Sequence, residues 1–289
     1  MKGKINIICG TTACGKTKYA VDLAKKIDAE VINADSMQVY KEFPILSAQP
    51  TRDEMQDIPH HLYGIISCQE HFDVARWVQL AIAKIQDLSE RGKTPLLVGG
   101  TGMYIKSLIY GISGIPTIPI NIKEQIKLLE AQNDQAGLYQ LLQSKDMLTA
   151  QQINPNDSQR TLRALEVILA TNVPLVEWHK QVTSIPFPRE NFHLILLTKP
   201  REVIYNSINQ RFTDMLAAGA LDEVQKVVEA YGNSNLPKAH GLPELIRYVK
   251  GEITLEQATS QSQQNIRNYA KRQTTWFKHQ LDFDKVIEV

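Results

Sequence analysis

The chain reads as an α/β protein: a mostly parallel sheet of buried strands flanked by helices and interrupted by a helical insertion. Three observations predict this. The apolar run Ile5–Cys9 leads directly into Gly10-Thr-Thr-Ala-Cys-Gly-Lys-Thr17 and then into a helical pattern. Short, almost wholly apolar runs alternate with helical periodicity through the first third, as strands covered on both faces require. Between about 116 and 190 the strand signal disappears and only helical patterns remain.

Taken in order, Ile5–Cys9 is a buried strand and Lys16–Ile27 a helix. Glu30–Ala34 is a second strand that stops at Asp35. Val74, Val78, Ala81, Ile82 and Ile85 fall on one face of a helix from about Asp73 to Arg91, and Gly92 supplies the backbone freedom for its C-terminal cap. Thr94–Val98 reads as another buried strand, Gly99–Gly102 as a turn, and Met103–Ile109 as a helix. Gly111, Gly114, Pro116 and Pro119 then break the pattern and mark a boundary. Beyond it helices are predicted at Ile122–Ala131, Gly137–Leu142, Ala150–Ile153 and Asp157–Ala170, the last capped by Asp157 or Ser158. After the proline-bearing stretch Ile185–Arg189, Phe192–Thr198 returns as a strand. Helices Arg201–Ala218, Leu221–Tyr231, Glu244–Val249 and about Leu255–His279 complete the chain. The core is therefore expected at 1–115 and 191–289, a P-loop NTPase-like sheet with C-terminal helices, and the helical insertion domain at 116–190.

Composition narrows the class of function. With 32 basic and 31 acidic residues among 289, no overall charge announces a polyanionic partner, so local clusters must carry that argument. The 3 cysteines, Cys9, Cys14 and Cys68, have no metal-ligand spacing and fit a reducing compartment. No apolar stretch approaches the roughly 18 residues a membrane span needs. A monomeric cytoplasmic enzyme is the expectation.

Residues 10–17 match G-x-x-x-x-G-K-T, a phosphate loop shared with ATP-binding proteins. Backbone N–H groups from Gly10 through Thr11, Thr12, Ala13, Cys14 and Gly15 to the helix start would converge on a phosphate. Lys16 can reach a terminal phosphate and Thr17 can place a hydroxyl on Mg²⁺. Asp35 follows the second strand at the edge where open α/β sheets bind ligands, with Ser36 and Gln38 beside it. It can accept a proton or orient a metal; alternatively, it caps the next helix. Thr101, within Gly99–Gly102, lies either at the same active edge or in a generic strand–helix turn. His60 and His61 suit a ligand-contacting loop or a core position better than a metal, because adjacent residues rarely point the same way.

Arg160 and Arg163 share one helix face. Near the C-terminus, Arg267, Lys271, Arg272 and Lys278 are interleaved with Tyr269, Trp276 and Phe277 and contain no acid between them. That stripe fits either an RNA backbone or a solvated helix. Arg211 opens a helix after the returning strand and can reach the phosphate site. No second strand-end aspartate typical of phosphoryl-transfer enzymes is evident, and no arginine-paired lid. A loop holding a leaving diphosphate fits this better than one donating a phosphoryl group. A small-molecule kinase and a non-catalytic RNA-binding module are the alternative readings.

These residues, taken together, resemble the tRNA dimethylallyltransferase (isopentenyl-diphosphate:tRNA transferase) family. The matches are the phosphate loop; Val31-Ile-Asn-Ala-Asp35-Ser-Met-Gln38-Val-Tyr40; Pro59-His-His-Leu62; Val98-Gly-Gly-Thr101-Gly-Met-Tyr104; and Gln159-Arg160-x-x-Arg163-Ala-Leu-Glu166. Gln210-Arg211-Phe212, Gly219-x-Leu221-x-Glu223-Val224 and Tyr269-Ala-Lys271-Arg272-Gln273-x-x-Trp276-Phe277 continue them nearly to the end. The resemblance implies transfer of a dimethylallyl group from dimethylallyl diphosphate to N6 of adenosine 37 in tRNAs reading codons that begin with U. It implies Asp35 as general base, Thr101 beside it, and Lys16, Arg211 and Thr17 with Mg²⁺ on the diphosphate. It also implies tRNA contacts from Asp35, Ser36, Met37 and Gln38, from Thr101 and Lys123, and from Gln159, Arg160, Thr161, Leu162 and Arg163. The family's helical insertion clasps the anticodon stem-loop. Departures are Cys14 for a serine, an added oxidisable thiol; Gln49 for a lysine; Ser207 and Lys123 for arginines; and Gly241-Leu-Pro-Glu244 for Gly-Tyr-Lys-Glu.

Overall fold

The computed structural model describes residues 3–181, 186–233 and 236–289. It divides into two compact units, Met1–Ile109 with Pro186–Val289, and Tyr110–Ile185. The expected insertion limits were 116 and 190; of the proline-bearing stretch expected from Ile185, Ile185 itself lies outside the described residues.

In the first unit, β1 (Ile5–Gly10) is followed by α1 (Lys16–Ile27), β2 (Ala29–Asn33), the short α2 (Arg52–Met55) and β3 (His60–His61). Then come α3 (Val74–Glu90), β4 (Thr94–Gly99) and α4 (Gly102–Tyr110). The second unit is helical: α5 (Ile120–Gln132), α6 (Gln135–Lys145), α7 (Met147–Ala150), α8 (Ser158–Thr171) and α9 (Leu175–Lys180). The chain returns with β5 (Phe192–Thr198), α10 (Arg201–Ala217), α11 (Ala220–Tyr231), α12 (Leu242–Val249), α13 (Leu255–Gln280) and β6 (Lys285–Glu288).

The strands form one six-stranded sheet in the order β3-β2-β4-β1-β5-β6. Every pairing is parallel, with Ile7 opposite both Leu97 and Leu194. Side chains alternate between faces, so β1 contributes to two cores at once. Ile5, Ile7 and Cys9 join Trp77, Ala81, Ile85 and Leu108 of α3 and α4, while Ile8 joins Ala20, Leu23 and Ala24 of α1. Because every strand points the same way, the ends of β1, β2, β4 and β5 open on one edge, and the loops that follow them are gathered there.

Helix starts follow capping chemistry. The side chains of Asp73 and Asp157 accept the N–H of Arg76 and Arg160, and Thr254 forms a capping box with Gln257. The turn expected at Ala150–Ile153 begins earlier, as α7, because Asp146 accepts the N–H of Thr149 and nucleates it there. Four of these elements carried no sequence expectation. α2 has four residues, β3 has two, β6 is a largely exposed edge strand of four, and α9 has six. Each is too short for periodicity to register.

Candidate active site

The phosphate loop leaves β1 through backbone that sequence chemistry permits. Gly15 adopts φ 94° and Ala13 φ 61°. A Cβ at Gly10 would lie 2.6 Å from Cys14 Sγ and 2.8 Å from the Leu197 carbonyl, so glycine is required for the loop to lie against β5. Lys16 Nζ donates to the carbonyls of Gly10 at 3.0 Å and Thr11 at 2.7 Å. The Thr11 hydroxyl oxygen is buried without a hydrogen-bond partner. Thr17 sits half-buried in the first turn of α1. Cys14, expected as an oxidisable thiol, is completely buried.

Asp35 follows β2 and its position is built by Asn33. The Asn33 amide donates to the carbonyls of Asp35 at 3.0 Å and Leu62 at 3.1 Å, and its oxygen accepts Asp35 N–H at 2.8 Å. Buried Trp77 secures the same corner: its indole donates to the Asn33 carbonyl at 2.9 Å, and its ring stacks on Tyr104 at 4.6 Å. Of the two roles open to Asp35 from sequence, capping the next helix is not realised, because that helix, α2, begins at Arg52 and is capped by Thr51. Oδ1 accepts the N–H of Met37 at 2.9 Å, forming a local turn, while Oδ2 has no partner among the described residues.

The loop after β4 lies against this corner. A Cβ at Gly99 would fall 2.0 Å from the Ala34 carbonyl oxygen. Thr101 Oγ1 accepts the N–H of Ser36 at 2.9 Å and donates toward Ser36 Oγ at 3.2 Å, so Thr101 is joined to Asp35 through its neighbour. Gln38 turns away to brace the segment ahead of α2, donating to the carbonyls of Ser47 at 3.1 Å and Ala48 at 2.6 Å.

A pocket opens between the phosphate loop, the Asp35–Met37 turn, the 46–48 segment, α10 and α13. Its polar lining includes Thr12, Asp35, Ser47, Arg211, His240 and Tyr269; Met37, Leu46, Phe212, Met215 and Ile266 give it apolar walls. Arg211 lies in the second half of α10 rather than at its start, and it has no hydrogen-bond or ion-pair partner among the described residues. His240 gave no sequence signal. Its ring rests 4.1 Å from that of Tyr269, and burial pushes the imidazole below its ordinary range while the Asp35 carboxylate pulls it back. Of the aromatics interleaved with the α13 cations, Tyr269 lines the pocket and Phe277 is buried in the core.

His60 and His61 form β3, where His61 Nε2 lies 2.7 Å from Glu30 Oε2, so the pair serves the sheet edge. On α13, Lys271, Arg272 and Lys278 are exposed, and none of them or Arg267 has a carboxylate partner among the described residues. In the second unit Gln159, Arg160 and Arg163 are exposed on α8, Arg160 against Asp157 at 3.2 Å and Arg163 against Glu166 at 2.9 Å. Thr161 and Leu162 face inward. The Thr161 hydroxyl donates to the Asp157 carbonyl at 2.9 Å inside the unit, and Leu162 packs on its apolar core. Lys123 is half-buried in the first turn of α5.

A parallel sheet whose first strand runs into G-x-x-x-x-G-K-T, with a carboxylate and an unpaired arginine sharing a pocket on the same edge, defines a phosphate-loop enzyme of the α/β class. The IPP transferase family model matches residues 38–280. A tRNA dimethylallyltransferase of Rhodopseudomonas palustris is 42% identical over 95% of this chain and 86% of its own. One from Rickettsia massiliae is 39% identical over 98% and 78%. The tRNA isopentenylpyrophosphate transferase of Bacillus halodurans superposes with TM-score 0.71 at 35% identity, covering 99% of this chain and 90% of that one. A eukaryotic dimethylallyltransferase captured acting on tRNA gives 0.78 at 27% identity, covering 99% and 73%. The chain belongs to the IPP transferase family, the prenyl-transferring tRNA dimethylallyltransferases.

Proposed function

We propose that this protein transfers the dimethylallyl group of dimethylallyl diphosphate to N6 of adenosine 37 in tRNAs reading codons that begin with U, releasing diphosphate. The observation that carries the reading is the pocket itself: Asp35, Arg211 and Thr12 of the phosphate loop face one space with apolar walls. Such a space suits a donor with an anionic head and a short branched hydrocarbon tail.

The N6 lone pair is delocalised into the adenine ring, so the amine is a poor nucleophile until its proton leaves. Asp35 Oδ2 takes that proton as the N–C bond forms, a contribution of about 10²–10⁴-fold. The allylic C–O bond breaks at the same time and its electron pair goes to the diphosphate. Lys16, Arg211 and the loop N–H groups stabilise that growing charge. Lys16 leaves the Gly10 and Thr11 carbonyls to do so. The base must leave its stack, which costs less in a loop than in a duplex.

Mg²⁺ fits as a companion of the diphosphate. Among the described residues no cluster of three or more His, Cys, Asp or Glu can cage a metal, and the Thr17 hydroxyl stands at the loop. Thr17 would hold the ion beside the diphosphate, the role a phosphate-loop hydroxyl takes. When bound, it would neutralise diphosphate charge.

Gln159, Arg160, Arg163 and Lys123, with the α13 cations, are proposed as tRNA contacts. Thr161 and Leu162 support the exposed face of α8 from behind. A monomer in the cytoplasm completes the reading; its three free, buried cysteines suit a reducing compartment, and no described helix is long and apolar enough to cross a membrane.

The test is incubation with labelled dimethylallyl diphosphate, an anticodon stem-loop carrying the acceptor adenosine, and Mg²⁺. Label on the adenine N6 with stoichiometric diphosphate release is expected. Phosphoryl transfer from ATP in place of alkylation would favour a kinase.

A further inference from the structure

Two loops meet behind the pocket, just beyond the last β1–β4 pair, Cys9 opposite Gly99: the phosphate loop after β1, whose Thr12 lines the pocket, and the Gly99–Gly102 loop after β4, which abuts the turn bearing Asp35. One side chain from α13 touches both. Gln273 Oε1 accepts the Thr12 N–H at 2.8 Å, and Gln273 Nε2 donates to the Gly100 carbonyl at 2.8 Å. The side chain is 5% exposed.

The loop is shaped to receive it. A Cβ at Gly100 would lie 2.4 Å from Gln273 Nε2, and one at Gly102 would lie 2.1 Å from Trp276 Cζ3. The two glycines thus let one face of α13 seat against backbone. From there the connection continues: Thr101 N–H donates to the Ala34 carbonyl at 3.2 Å, and Thr101 Oγ1 accepts from Ser36 at 2.9 Å, next to Asp35. A continuous path of hydrogen bonds therefore runs from Thr12 through Gln273 and the Gly100–Thr101 backbone to the turn that bears the carboxylate.

We infer that Gln273 is a positioning residue that sets the spacing between the diphosphate-holding loop and the carboxylate-bearing turn. The inference rests on the prenyl-transfer reading above. In that reaction the donor carbon is fixed through its diphosphate by one loop, and the acceptor amine is fixed near Asp35 by the other. Bond formation needs the two reacting atoms at about 3–3.5 Å, and a misplacement of about 1 Å costs on the order of 10²-fold. Glutamine suits the task because its amide carries an acceptor and donors at the same tip. A methionine of similar length offers neither strong bond, and an ionised glutamate sets an acceptor against the Gly100 carbonyl. Gln273 also takes the Thr12 N–H out of the set of amides available to an anion, leaving the donors from Ala13 onward.

Because Gln273 joins the loops without being assigned to either ligand, its loss should uncouple the half-sites more than weaken them. Gln273→Met is expected to lower kcat about 10²-fold, with the Kd values of inorganic pyrophosphate and of the anticodon stem-loop each within about threefold of wild type. Pyrophosphate with Mg²⁺ should tighten stem-loop binding at least about fivefold in the wild type and leave it unchanged in the variant. Gly100→Ala crowds the same contact from the other side and should reproduce the kcat loss. Because both changes act at one contact, the double variant should lose no more than either single one. A fall in both affinities parallel to kcat, undiminished coupling in Gln273→Met, or additive losses in the double variant would overturn the inference. If Gln273→Met does not fold, Gly100→Ala alone decides by the same split. A wild type that alkylates no stem-loop overturns the prenyl-transfer reading and this inference with it. An active wild type whose Gln273→Met kinetics are unchanged overturns this inference alone.

Discussion

Glu223 on α11 accepts the backbone N–H of Ile45 at 2.7 Å and of Leu46 at 2.9 Å, fixing the segment that walls the pocket from 178 positions away in sequence. Burial raises its carboxyl above the usual range, and these two N–H groups pull it back down. A hydrogen bond to a charged group contributes about 1.5–3 kcal/mol, so its removal is felt directly by the wall. Glu223→Ala is expected to lower kcat/KM for the prenyl donor about tenfold or more, while Glu223→Gln, which keeps one acceptor, should lose less. Equal effects of the two substitutions would contradict a role for the carboxylate.

Asp35→Asn leaves Oδ1 to accept the Met37 N–H, so the turn should survive while the base is lost. Turnover should fall about 10²–10⁴-fold, with stem-loop affinity within about threefold. Rate and affinity measured on the same preparation decide it; a parallel collapse of both would assign Asp35 to binding.

Glu30 is 5% exposed at the sheet edge, where Arg91 donates to both its oxygens at 3.0 Å and His61 lies at 2.7 Å. The Arg91 hydrogen bonds, against some opposing burial, hold its carboxyl below the ordinary value of 4.5. The folded state therefore favours the ionised form. Its contribution is present above about pH 4.5 and is lost as pH falls through the lowered folded value. Glu30→Gln should destabilise by about 1–3 kcal/mol at pH 7, and the gap to wild type should close in acid. Denaturant titrations at both pH values check this; a gap that widens in acid would refute it.

Arg160 is exposed and faces only Asp157, an exposed pair of little worth to stability. Arg160→Ala should leave Tm unchanged and weaken stem-loop binding. The slope of log Kd against log salt should become shallower by about one, as for a lost phosphate contact. Donor affinity should not move. A changed donor KM with an unchanged salt slope would argue against the assignment.

Much of this molecule was legible from residue order. Buried strands announce themselves by continuous apolar runs, so β1, β2, β4 and β5 were located to within a residue or so. G-x-x-x-x-G-K-T marks its own chemistry, because glycine and lysine at that spacing have few other uses. Asp35 stood out through its place at a strand end. Elements such as β3, α9 and β6 escaped because a few residues cannot express a period.

What the order of residues could not reveal is which polar groups are spent and which are free. Asp35 and Asn33 are equally polar on paper, yet Asn33 is consumed by the turn while one Asp35 oxygen is left without a partner. Thr161 sits between outward-facing Arg160 and Arg163 and points inward, since a helix turns each successive side chain by about 100°. Gln273, Glu223 and His240 acquire their roles from residues far along the chain, which only folding brings within hydrogen-bond or van der Waals reach. Local sequence therefore determined the strands, the helices and the phosphate loop, whose energetics are short-range. The pocket was decided by tertiary structure, because its walls and polar lining come from segments that meet only once the apolar surfaces of the core are buried.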